Sequence, residues 1–212
     1  MLHELKEKGY VSISSVTTAS TLDVVQAIGH AFKVPTMPLV QTLTPRLKEN
    51  EQENTYSGNF GVDEFPFHTD LAHWYIPPRY FFLRCIVPAP GVDTKLIDSK
   101  NVCDGLESVV LSRAHFKPRK RLDRTANILK VKDGEIFRWD SIFIEPSNHN
   151  AEKLSVLIED GIRSAKCIKL SLDKKGECLL IDNWRMLHAR GAIGGDSMDR
   201  KIERVYFSEV IF

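Results

Sequence analysis

Proline and glycine cut this chain into pieces too short for long helices. Pro77-Pro78, Pro88, Pro90-Gly91, Gly134, Gly176 and Gly194-Gly195 interrupt it repeatedly. Proline removes a backbone donor, and glycine favours turns over regular elements. Between the breaks lie short runs rich in β-formers, over 80–87, 94–98, 136–139, 167–171, 178–182 and 202–211. Helical periodicity is clear in two windows. Over 22–33, Val24, Val25, Ile28 and Phe32 recur near helical spacing behind Thr21, a candidate N-cap. Over 151–164, Leu154, Leu157, Ile158 and Ile162 form one stripe behind Asn150. A shorter helix is expected over 106–111. Many short strands with few helices predict a mainly β protein, a sandwich or jelly roll with flanking helices packed outside.

Composition excludes several other classes. With 42% hydrophobic and 27% charged residues in 212, the chain is neither disordered, collagenous nor a coiled coil. That length predicts one domain, 1–212. Cys85, Cys103, Cys167 and Cys178 form no C-x-x-C pair, so neither a disulfide framework nor a thiolate zinc site is expected. The opening M-L-H-E-L-K-E-K has charges where a secretion signal needs an apolar run, and no window is apolar enough to span a membrane. A cytoplasmic protein is the expectation. Net charge is only +1. Between 113 and 132, however, Arg113, Lys117, Arg119, Lys120, Arg121, Arg124, Lys130 and Lys132 stand against one acid, Asp123. This basic stretch reads either as a solvated loop or as a lid-like insertion, about 104–132, that attracts an anion. Phe116 is its one aromatic ring, which is thin support for nucleic-acid stacking.

The sharpest chemical feature is the stretch 65–74, F-P-F-H-T-D-L-A-H-W. On a strand, residues i and i+2 share a face, so His68 and Asp70 offer an imidazole and a carboxylate side by side. A third ligand is needed, and His188, just past a strand ending in L-I-D-N, is the candidate. Two histidines and one carboxylate with open positions suit non-haem Fe(II) oxygen chemistry. His73 lies five residues after His68, on the opposite face of a strand, so a local zinc cluster is disfavoured. His73, Trp74, Trp184 and Arg185 are candidates for the pocket wall. Arg200, Ile202, Arg204 and Tyr206 share one face if the last strand begins early. An arginine inside a barrel needs an anion, which a dicarboxylate cosubstrate supplies. Otherwise both arginines face solvent and pair with Glu203 or Asp199.

Taken together, His68-Thr-Asp70, P-G-V-D-T ending at Thr94, D-N-x4-H ending at His188, and R-K-I-E-R-V-Y-F from Arg200 resemble one family. They look like the Fe(II)/2-oxoglutarate-dependent dioxygenases of the taurine dioxygenase and clavaminate synthase-like group, over roughly residues 60–212. That resemblance implies a double-stranded β-helix (jelly roll) fold. It implies Fe(II) held by His68, Asp70 and His188, with 2-oxoglutarate as cosubstrate. It implies that Thr94 and Arg200 bind the distal carboxylate, and that Arg204 contacts either the cosubstrate or the substrate; the spacing leaves open which arginine does which. The stretch R-W-D-S-I-F-I-E-P, 138–146, is nearer the amino-acid-hydroxylating relatives. The carboxylate at Asp70 argues against a halogenase. The implied activity is hydroxylation of a small polar, anionic or amino-acid-like metabolite, with release of succinate and CO2. Two other readings stand beside it: a cupin-type metal enzyme that uses no 2-oxo acid, and a non-catalytic anion-binding module.

Overall fold

The computed structural model describes residues 1–14, 16, 18–35, 37–52, 55–119 and 128–211. The chain opens with α1, Leu2–Lys8, which ends at Gly9 with φ 80°. Glycine takes that conformation without a Cβ clash, and a side chain there would strike Met186. The turn leads directly into β1, Tyr10–Ile13. The helix expected over 22–33 is shorter: α2 is Thr21–Ile28, and Gly29–Phe32 is β2. Its N-cap is Ser20, not Thr21, in a reciprocal capping box with Asp23. Sheet pairing overrides the helical spacing, because a Cβ on Gly29 would lie 2.2 Å from the Glu209 carbonyl oxygen and only glycine lets the backbones approach so closely.

β3, Gln41–Leu43, and α3, Tyr56–Phe60, come next, followed by β4, Tyr80–Val87, and β5, Thr94–Asp98, both as expected. α4 is Ser99–Val102 and α5 is Ser108–Arg113, two residues later than the expected 106–111. β6 is Phe116–Pro118 and β7 is Lys132–Asp133. The centre of the basic stretch, with Lys120, Arg121, Asp123 and Arg124, lies outside the described residues. β8 is Ile136–Phe137, shorter than the expected 136–139, and β9 is Ile144–Pro146. α6, His149–Ser164, is capped by Asn148 rather than Asn150. β10 is Ile168–Leu170 and β11 is Cys178–Asp182. β12, Met186–Arg190, contains His188 in its interior, where a position just beyond a strand was expected. β13, Lys201–Val210, begins one residue before the expected 202–211.

A six-stranded antiparallel sheet runs β1-β11-β4-β13-β2, with β3 also on β13; a smaller sheet runs β10-β5-β12. Alternation along the strands places the cores. On β4, Phe81, Leu83 and Cys85 point between the sheets and meet Leu96, Met186 and Tyr206. Phe82, with Leu180, Val205 and Phe207, points the other way, under Leu5, Val24 and Ile28 of the first two helices. The outer face of the small sheet, Ile97 and Leu187, is covered by Ala151, Leu154 and Ile158 of α6 together with Trp139. The protein is thus mainly β, two larger antiparallel sheets with helices on both outer faces and two two-stranded pairs, β6-β9 and β7-β8, and each fully buried Phe contributes about 1.5–3 kcal/mol. Among the described residues, no helix is long and apolar enough to cross a membrane.

Candidate metal centre

His68 and His188 face each other across an antiparallel bridge. Each backbone N–H donates to the other's carbonyl, at 3.0 and 2.8 Å. Residues paired this way stand directly opposite on one face, and the ring centroids are 4.2 Å apart. Asp70 is not on a strand, as the i, i+2 argument had it; it lies in the turn that follows the bridge. Asn183, fully buried, holds that turn: its Oδ1 accepts from the Asp70 N–H at 2.7 Å, and its Nδ2 donates to the Asp70 and Pro78 carbonyls. Leu71, the next residue, has φ 56°, an unfavourable conformation for a leucine that the surrounding bonds enforce. Arg138, buried, donates to the carbonyls of Ala72, Trp74 and Tyr75 and fixes the rest of the loop.

The Asp70 carboxylate is divided between two tasks. Oδ2 accepts from Arg204 Nη1 at 2.9 Å and from the Tyr206 hydroxyl at 3.0 Å. Oδ1 lies 3.8 Å from His68 Nε2 and 3.6 Å from His188 Nε2. Those distances are too long for hydrogen bonds, so the three atoms converge on a point rather than on one another. All three residues are buried, and their donor atoms lie within 4.8 Å of one another. Metal–ligand bonds of about 2 Å fit such a cluster. The His68 Nδ1 sits 2.9 Å from the Pro66 carbonyl. A carbonyl only accepts, so Nδ1 carries the proton and Nε2 presents its lone pair inward.

Electrostatics favour the ligating protonation states. Burial, helped by the neighbouring His188, pushes His68 down to about 3. Burial alone would raise the Asp70 carboxyl, but Arg204 and the two histidines hold it well below the usual carboxylate range. Neutral imidazole with an ionised carboxylate is the set that a divalent cation requires.

A cavity of about 730 Å³ opens beside these donors. Ile202, Arg204 and Tyr206 border it from one face of β13, and Arg200, just before that strand and its Lys201/Ile202 register shift, borders it too. The two arginines differ. Arg204 is tied to Asp70 and, through Nε and Nη2, to Gln41 Oε1. Arg200 is buried, and its guanidinium has no hydrogen-bond acceptor among the described residues. Thr94 borders the same cavity, as does Arg190, which no motif had singled out. Burial and the charge of Arg200 lower Arg190 to about 10.

Elsewhere the walls are largely aromatic. His73 and Trp74 line the cavity, as expected. Burial lowers the His73 imidazole. Tyr56 stacks on His68, centroids 4.1 Å apart, and donates its hydroxyl to Asp140 Oδ2 at 2.8 Å. Asp140 also accepts from the Ile142 and Phe143 N–H groups, and burial raises it to about 6. Neither Tyr56 nor Asp140 carried a spacing signal in the sequence. Arg185, a candidate for this wall, is elsewhere: it binds Asp98 Oδ2 and the Lys6 and Glu7 carbonyls, pinning the end of α1. Trp184 likewise turns away, donating to the Pro77 carbonyl. The described flanks of the basic stretch do not border the cavity; Lys117 and Arg119 pair with Glu145.

No family model matches the sequence, and no curated protein matches it. Solved structures do. An asparagine oxygenase in complex with Fe(II), 2S,3S-3-hydroxyasparagine and succinate matches with a TM-score of 0.62 at 19% identity, over 80% of this chain and 56% of its own. The non-heme iron oxygenase OrfP in complex with Fe and alpha-ketoglutaric acid matches with a TM-score of 0.67 at 20% identity, over 85% and 61%. The PvcB protein of Pseudomonas aeruginosa gives 0.64 at 15% identity, over 97% and 78%. The likeness is one of fold, and the chain spans less than two thirds of the length of the first two.

Proposed function

We propose that this chain is an Fe(II)- and 2-oxoglutarate-dependent oxygenase on a double-stranded β-helix. It hydroxylates a small polar, amino-acid-like metabolite and releases succinate and CO2. The observation that carries this reading is the convergence of His68 Nε2, Asp70 Oδ1 and His188 Nε2 beside a cavity that also holds a buried guanidinium, Arg200, with no partner among the described residues. The fold shared with iron oxygenases, one of them in complex with a hydroxylated amino acid, supports it.

His68, Asp70 and His188 would hold Fe(II), which would supply O2 activation coupled to decarboxylation of the 2-oxo acid, one oxygen atom going to the substrate and the other to succinate. Arg204 and Tyr206 orient Asp70 by occupying Oδ2, which leaves Oδ1 as the ligand atom. The Pro66 carbonyl sets the His68 tautomer. Arg200 and Thr94 hold the distal carboxylate of the cosubstrate; Arg204, already paired with Asp70, takes the supporting role. Tyr56 and Phe143 exclude water, and His73 and Trp74 face the substrate. The four cysteines are free, in keeping with a reducing cytoplasm.

The test is succinate formation from 2-oxoglutarate, with and without Fe(II), in the wild type and in His68→Ala. The expected result is iron-dependent succinate that the variant loses. Iron binding without affinity for 2-oxoglutarate would favour a cupin-type enzyme. Failure to bind any divalent metal would leave an anion-binding module.

A further inference from the structure

We infer that Arg190 is a second cationic determinant of the cosubstrate pocket and, with Arg200 and Thr94, selects a 2-oxo acid bearing a second carboxylate. The inference rests on the 2-oxoglutarate reading above. Strand register is the first support. On β12, Arg190 stands two residues after His188 and shares its face, about 7 Å further along the strand. Directly opposite on β5 is Thr94, so the two side chains are cross-strand neighbours. One strand pair therefore presents a metal ligand, a guanidinium and a hydroxyl to a single cavity, which Arg200 also borders.

Charge is the second support. No carboxylate among the described residues forms an ion pair with either arginine, although the charge of Asp63 acts on Arg190 from a distance. Arg190 Nη2 donates to the Gly61 and Asp63 carbonyls at 2.8 and 2.6 Å. The Asp63 carboxylate is itself paired with Lys48. The acids that line the cavity are engaged elsewhere: Asp70 by Arg204, Glu51 by Arg46 and Asp140 by Tyr56. Two like charges in a partly desolvated wall repel each other, and an anion between them relieves the repulsion. A monoacid spends its one carboxylate at the metal end and leaves the pair unneutralised; a diacid has a carboxylate left to place there.

Preorganisation is the third. The Arg190 guanidinium lies over the Phe65 ring, 3.7 Å from its centroid, and the two carbonyls hold it there. A planar fork fixed in this way loses little freedom when it grips a carboxylate.

The experiment is an anaerobic calorimetric titration of the Fe(II)-loaded protein with 2-oxoglutarate and with 2-oxopentanoate, which has the same carbon chain without the distal carboxylate. It compares the wild type with Arg190→Gln, Arg190→Met and Arg190→Lys, and the folding of each is checked by thermal melt. The wild type is expected to prefer the diacid. Arg190→Gln is expected to cut that preference by about tenfold or more, the effect of losing one charged hydrogen bond, with affinity for 2-oxopentanoate unchanged. Arg190→Lys keeps the charge and is expected to keep most of the preference; Arg190→Met replaces the glutamine variant should that fail to fold. An unchanged preference in the neutral variants overturns the inference. So does an equal loss for both acids, or a lysine variant as impaired as the neutral ones. A wild type that binds neither acid overturns the 2-oxoglutarate reading itself, and this inference with it.

Discussion

Asp70 and Arg185 illustrate how differently two charged side chains are used. The first is aimed by Arg204 and Tyr206; the second ties secondary structure together. Arg185 joins Asp98, in a partly buried ion pair, to the Lys6 and Glu7 carbonyls at the exposed end of α1. Arg185→Ala is therefore expected to lower stability by about 2 kcal/mol in a denaturant melt, with Fe(II) affinity unchanged in a metal titration. A fall in metal affinity would return Arg185 to the site. Tyr56 separates a ring from a hydroxyl. Tyr56→Phe keeps the stack on His68 and leaves Asp140 short of a donor, which is expected to cost about 1–2 kcal/mol with metal affinity retained. Tyr56→Ala removes the stack as well and is expected to weaken Fe(II) binding, measured in the same titration. The H-x-D pair was visible in the sequence because two residues apart is a local distance. The partners that aim it, Arg204 and Tyr206, lie at the other end of the chain and reach it only through the sheet.

Among the elements, α6 shows propensity and packing in conflict. Gly161 is inside the helix, where alanine would normally stabilise by about 1 kcal/mol. Here a Cβ would lie 2.5 Å from the Val102 carbonyl oxygen of α4, a backbone atom that cannot step aside. Gly161→Ala is thus expected to destabilise, by about 1–3 kcal/mol, and its thermal melt would fall rather than rise. The same competition explains where α2 stops. Apolar spacing continues to Phe32, but from Gly29 onward the chain pairs with β13 instead. The buried runs of β4 and β11 were legible because they are continuous and apolar. β1, β2 and β3 were not, being only three or four residues long, too short for any period to declare itself.

Over the whole molecule, buried acids shape the response to pH. Asp182 is pushed by burial up to about 6, despite the nearby Arg79. Its unfolded value is 3.8, so between those limits the folded state holds a proton that the unfolded state has lost. This group therefore favours folding most below pH 4, and its contribution declines as pH rises to about 6. His68, lowered on folding, acts in the opposite sense, so the wild-type curve alone does not isolate the effect. A difference does: Asp182→Asn is expected to gain on the wild type by about 2 kcal/mol between pH 4 and pH 6.5, read from denaturant melts across that range. A difference that stays flat would show that Asp182 titrates normally. Sequence alone determined the mainly β character and the flanking helices, because proline, glycine and alternating apolar residues act over a few positions, and it offered His68, Asp70, His188, Thr94 and Arg200 as candidates through motifs whose order along the chain resembles one family. Only the tertiary structure decided that Arg204 serves Asp70, that Arg185 faces away, and that Tyr56 and Arg190 belong to the cavity. Those outcomes depend on which strands become neighbours, a matter of long-range burial and pairing that local periodicity does not encode.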